Sequence, residues 1–84
     1  MSDPVSWLLI ERGWRVLDAL GKEIGHVAEV LGDKERDIFD GLAVSLGLLE
    51  SDRYLAAEDV GRIEEGTVHA DVQDASTLGE YQRS

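Results

Sequence analysis

Short runs of alternating apolar and polar residues, cut apart by glycines, are what most constrain the fold of this 84-residue sequence. Ile38 to Gly47 is the clearest run: Ile38, Leu42, Val44 and Leu46 share one parity, the period of a strand with one buried face. Asp40 interrupts that face near its start. Trp14 to Ala19 is a shorter run holding Val16 and Leu17, and Leu20-Gly21-Lys22 follows it as a turn in which Gly21 supplies positive φ. Glu23 to Leu31 reads as a second strand, yet its apolar residues Ile24, Val27 and Val30 fall three apart, which a flat strand does not allow. Gly25 in its middle supplies a bulge that shifts register. Gly32 to Asp37 is a charged loop, Arg53 to Ala56 a short strand, and Ala57 to Val60 one helical turn. Glu65-Gly66 joins two further runs as a tight hairpin. On the second of these, Val68, Ala70 and Val72 point one way and Thr67, His69 and Asp71 the other. Short strands at this spacing predict an all-β domain, a small barrel of about six short strands with at most one or two short helical turns.

The ends read differently. Residues 1–12 form a lead-in in which Asp3-Pro4 can cap a short helix, or Trp7 to Ile10 can lie as an extended arm; the room for only a turn or two of helix favours the arm. Residues 13–72 form the β-domain. Residues 73–84 are a polar tail, either mobile or a short helix, anchored only by Leu78 and Tyr81.

A chain of this length makes one domain with a modest core. It has no cysteine, so neither a disulfide nor a thiolate metal site supplements that core, which fits a reducing cytoplasm. The longest apolar stretch, Trp7-Leu8-Leu9-Ile10, is far shorter than the ~20 residues of a membrane helix, and no signal-peptide pattern is present. Eight Lys and Arg stand against 18 Asp and Glu, a formal charge of −10 at pH 7. Such a surface repels nucleic-acid phosphates and anionic headgroups, which argues against direct nucleic-acid binding or membrane insertion and for solubility or a partner with a basic face.

Catalytic patterns fail on inspection. Ser45 lies mid-strand outside any G-x-S-x-G setting, and His26 and His69 fall in different strands, so nothing organises a base–nucleophile pair. Asp33, Glu35 and Asp37 alternate like calcium-loop ligands, but positions six and twelve of such a loop would be Ile38 and Val44 rather than Gly and Glu. The adjacent carboxylates Glu58-Asp59 and Glu64-Glu65 lie in solvated turns. No catalytic, cofactor-binding or metal-ligating residue is expected, and no cofactor. Of the aromatic residues, Trp14 and Tyr54 are expected to close the barrel ends. Trp7, Phe39 and the aliphatic Leu49 are candidates for an exposed apolar patch that docks a partner or a second copy. Gly21, Gly25 and Gly66 are read as structural turns.

The segment Gly13 to Val27, with its short apolar strand, the D-x-x-G turn Asp18-Ala19-Leu20-Gly21 and the I-G-x-V step Ile24-Gly25-His26-Val27, resembles the opening hairpin of PRC-barrel domains. Arg53 to Val60 is similar to the family's second landmark, an aromatic-apolar pair leading into an E-D-V turn. The likeness spans roughly Gly13 to Val72. Ser6-Trp7-Leu8 and Asp37 to Leu42 are similar to a stand-alone bacterial-type subgroup. Ala56 or Ala57 stands where the family often has proline. The resemblance implies a PRC-barrel-like barrel that serves as a docking or assembly module without shared catalytic residues. The expected function is thus a non-catalytic, cytoplasmic protein-binding module, self-associating as a homodimer. A small-ligand or metal-responsive domain is the alternative.

Overall fold

The computed structural model describes residues 6–47 and 50–81. Among the described residues seven strands form one mixed sheet: β1 (Arg15–Leu17), β2 (Glu23–Asp33), β3 (Ile38–Ser45), β4 (Arg53–Ala56), β5 (Val60–Glu64), β6 (Thr67–Ala70) and β7 (Gly79–Glu80). Their order is β5-β6-β1-β2-β3-β4-β7, with β1–β6 the parallel pair and the others antiparallel. Helical structure among the described residues is confined to three single 3-10 turns, at Trp7–Leu9, Ala57–Asp59 and Ala75–Thr77.

The β1–β2 turn is built by one carboxylate. Asp18 is buried, at 3% exposure, and its Oδ1 accepts hydrogen bonds from the backbone N–H groups of Leu20 and Lys22, both at 2.9 Å. Its own N–H donates to the Lys22 carbonyl at 2.8 Å, while Gly21 takes φ 84°. An Asp at the head of the turn supplies, from its side chain, the acceptor that the reversing backbone lacks.

Register slips three times along β2 and β3. Val16 opposes Gly25 but Leu17 opposes Glu23, leaving Ile24 over; Val27 opposes Val44 but Glu29 opposes Ala43, leaving Ala28 over; Leu31 opposes Gly41 but Gly32 opposes Phe39, leaving Asp40 over. Each extra residue bends the strand and resets which face the next side chain meets. That accounts for the three-residue spacing in β2: Val27 is buried, and Ile24 and Val30 pack beside it against the same core. Close strand contact enforces glycine at Gly25, where a Cβ would drive into the Ser45 carbonyl of β3.

The third slip corrects the parity read from the sequence of β3. Leu42 and Val44 are fully buried, but Ile38 is 49% exposed. Asp40 is the residue that changes the count: beyond it Phe39, not Ile38, turns to the core. Ala43 is also fully buried, on the other face, where its neighbours across the sheet are Glu29 and Tyr54.

The buried cluster of Ile10, Val16, Val27, Leu42, Val44, Leu55, Val68, Ala70 and Leu78 draws on β1, β2, β3, β4 and β6 together. A sheet whose distant strands share one cluster must curl around it; each fully buried Leu or Val contributes roughly 1.5–3 kcal/mol of transfer free energy. Backbone pairing nevertheless runs from β5 to β7 without joining them, so the sheet is open along these edges.

The described parts of both flanking segments, residues 6–12 and 73–81, pack onto this body. Ser6 caps the first 3-10 turn, its Oγ accepting from Leu8 N–H at 3.2 Å, and the chain leaves it into Ile10, 2% exposed. Trp7–Leu9 is thus a helical turn, not an extended arm. At the other end, Asp74 caps the third turn through Ser76, Leu78 enters the core and β7 pairs with β4, which adds the seventh strand. Tyr81 extends the anchoring: its N–H donates to the Asp52 carbonyl at 2.8 Å and its hydroxyl to Glu29 Oε2 at 3.1 Å. A six-strand domain ending at residue 72 omits this strand because Gly79-Glu80 carries no apolar alternation.

Candidate interaction surface

The first 3-10 turn lies against the β2–β3 hairpin through an aromatic stack. The rings of Trp7 and Phe39 are 4.8 Å apart between centroids, inclined at 16°, and both pack on the edge of the core. Trp7 Nε1–H donates to Asp37 Oδ1 at 2.8 Å, satisfying the one polar atom of the indole. Asp37 holds φ 55°, a left-handed conformation that Asp tolerates better than most residues, and so closes the hairpin. Asp33 builds the other side of that turn, accepting from Glu35 N–H at 3.0 Å and lying 3.6 Å from Arg36 Nε.

The stack fixes what surrounds it. Leu8 and Leu9, in the turn that carries Trp7, are 37% and 58% exposed, and Ile38, next to Phe39, is 49% exposed. Leu9 also borders a shallow depression lined with Glu11, Trp14 and Glu65. Ile38 and Phe39 are consecutive in β3 and point to opposite faces, Phe39 toward Trp7 and the core, so Leu8, Leu9 and Ile38 are exposed apolar side chains on either side of the stack.

Trp7 and Phe39, singled out from the sequence, are therefore neighbours, but each is half-buried and they face each other; the exposed apolar area is that of Leu8, Leu9 and Ile38. Leu49 lies outside the described residues. Sequence reasoning missed Ile38 because unbroken alternation placed it inside. It missed the leucines because Trp7 to Ile10 carries no strand period. Trp14 packs partly buried against the core, whereas Tyr54 lies 36% exposed on the opposite face of β4 and closes no end of the sheet. Leu20, 86% exposed, stands alone at the tip of the β1–β2 turn.

His69 Nε2 lies 2.7 Å from Glu64 Oε1, and Arg62 lies 3.7 Å from the same carboxylate. The small cleft beside them, lined by Asp18, Ala19, Gly61, Arg62, His69, Ala70 and Asp71, presents no hydroxyl or thiol for a histidine base to activate. His26 is exposed on β2. Among the described residues no group of three His, Asp or Glu is gathered closely enough to hold a metal ion, and no helix is long and apolar enough to cross a membrane. Asp74, at the surface, has its carboxyl held below the usual carboxylate range by the Ser76 hydroxyl first, then by the Ser76 N–H and the charge of Lys22. A scan of the sequence against protein-family models gave no match, and no curated protein matched it.

Proposed function

We propose that this chain is a non-catalytic protein-binding module of the PRC-barrel type, working in the cytoplasm and assembling with a second copy of itself. The observation that carries the reading is the exposure of Leu8, Leu9 and Ile38 around the Trp7–Phe39 stack. None of the three belongs to the core cluster of the single chain. The stack holds them in place before any contact forms, which lowers the ordering cost of association. A two-fold axis through this patch brings the same leucines and isoleucine together from both copies.

Barrel closure is the finer part of the proposal. It draws support from the shared core cluster and from the two landmarks, the Asp18 turn and the Tyr54–Val60 segment, which fall on the β1–β2 hairpin and on β4 with its following 3-10 turn. Sedimentation equilibrium tests the assembly. The wild-type chain is expected to be a dimer and the Leu9→Ser/Ile38→Ser double variant a folded monomer. A wild type that stays monomeric throughout the concentration range, or a variant that dimerises equally well, removes the self-assembly reading.

A further inference from the structure

The sheet has a third opening, inside it rather than at its ends. β1 pairs with β2 only as far as His26, and the last backbone bonds between these segments are Gly13 N–H to the Val27 carbonyl and Val27 N–H to the Trp14 carbonyl, each 2.8 Å. β2 runs on to Asp33 with β3 on one side; among the described residues no strand lies against the other side of Ala28–Asp33. A groove of about 710 Å³ follows this free edge, walled by Ile10, Glu11 and Arg12 opposite Ala28, Glu29 and Val30.

One edge acceptor is already in use. Arg12 Nε–H donates to the Ala28 carbonyl at 3.0 Å, so a cationic side chain seats on this edge in the unpartnered chain. Arg12 commits its Nε–H to that contact, Glu29 accepts from the Tyr81 hydroxyl, and Glu11 is exposed on the facing wall. Lys34 closes the hairpin end. The lining itself sets Glu11 and Glu29 against Arg12 and Lys34, and it is the −10 charge of the whole chain that favours the approach of a basic segment.

We infer that the free edge of β2 at Ala28–Asp33 takes an extended, basic segment of a partner protein by strand addition. Backbone hydrogen bonds provide the affinity, as at other open sheet edges, and Glu11 and Glu29 favour Lys or Arg at alternate positions of the guest. The site adjoins the Leu8, Leu9 and Ile38 surface, since Asp33 pairs with Ile38 and Ile10 follows Leu9, but it does not depend on self-assembly.

The test uses the full chain and three end-capped octapeptides: alternating Lys–Val, alternating Glu–Val, and Lys–Val N-methylated at every residue. Calorimetry is expected to give binding of the first on the order of ten-fold or more tighter than the second, weakened by salt. Methylation, which removes the backbone donors, is expected to abolish it. Amide exchange is expected to slow within residues 28–33, and Glu11→Lys to weaken the Lys–Val peptide. The Leu9→Ser/Ile38→Ser variant is expected to bind this peptide as the wild type does, whatever its oligomeric state. Absence of binding, equal binding of the methylated peptide, or protection at β5 or β7 instead overturns the proposal. Protection of 28–33 that grows with protein concentration alone assigns the edge to a second copy and overturns it as well.

Discussion

The hydroxyl of Tyr54 on β4 donates to the backbone carbonyl of Asp40 at 2.8 Å, and Asp40 is the residue left over where β3 slips past β2. A bulge leaves a carbonyl without its ladder partner, and here a side chain from the neighbouring strand supplies the missing donor. The slip that buries Phe39 and exposes Ile38 is thus held from outside the core.

Tyr54→Phe removes that donor and nothing else. It is expected to cost about 0.5–1.5 kcal/mol, the net worth of one hydrogen bond at a partly exposed site. Urea unfolding should show a lower midpoint with an unchanged slope.

Asp18 has a larger effect for a local reason. Asp18→Ala strips the acceptor from two N–H groups in a turn whose carboxylate is 3% exposed, so the expected loss is about 1–3 kcal/mol. Asp18→Asn keeps an oxygen at the same place and is expected to recover most of it. Guanidinium titrations of the three proteins check the order wild type, Asn, Ala.

These two residues mark how far the sequence could be read. The D-x-x-G turn was legible because an Asp ahead of a glycine organises its own neighbourhood, with no knowledge of the rest of the chain. A register shift in β2 was legible from the three-residue spacing of Ile24, Val27 and Val30, but the extra residues are Ile24 and Ala28, whereas Gly25, expected to supply the bulge, pairs with Val16. The reversal at Asp40 was not. An acid in a strand reads as an interruption, and only the pairing with β2 reveals that it is the supernumerary residue. The seventh strand and the burial of Leu78 were also hidden, because β7 is placed by its pairing with β4 and by the Asp74 cap rather than by any period of its own. The candidate patch was half legible: Trp7 and Phe39 announced themselves as large aromatics, while the apolar area they expose depends on the reversal.

Strong acid is expected to loosen the Asp74 cap. The folded carboxyl is held below its ordinary value of 3.8 by Ser76 and Lys22. A depressed folded value means that the cap stabilises fully above 3.8 and is lost as pH falls through the folded value. The side-chain carboxyl shift of Asp74, followed by NMR, should titrate below 3.8, with amides of Ser76 to Glu80 broadening in the same range. Asp74→Asn should remove that acid-dependent step.

Ile38 separates the two descriptions of β3 most directly. Under unbroken alternation it would lie on the buried face with Leu42 and Val44, and replacing a core isoleucine by a small polar residue would cost 2 kcal/mol or more, about the range of large-to-small core substitutions. With Asp40 as the extra residue, Ile38 is 49% exposed, and Ile38→Ser is expected to change stability by no more than about 0.5 kcal/mol. Phe39→Ala, by contrast, removes the ring that stacks on Trp7 and is expected to cost 2 kcal/mol or more, about the lower part of the usual range for a partly buried aromatic. Denaturant midpoints of the two variants therefore read the register of the hairpin: a severe loss at Ile38 with a mild one at Phe39 would return β3 to regular alternation. The same Ile38→Ser protein, still folded, should show weaker self-association than wild type in sedimentation, because in the proposed dimer the side chain it removes faces the second copy.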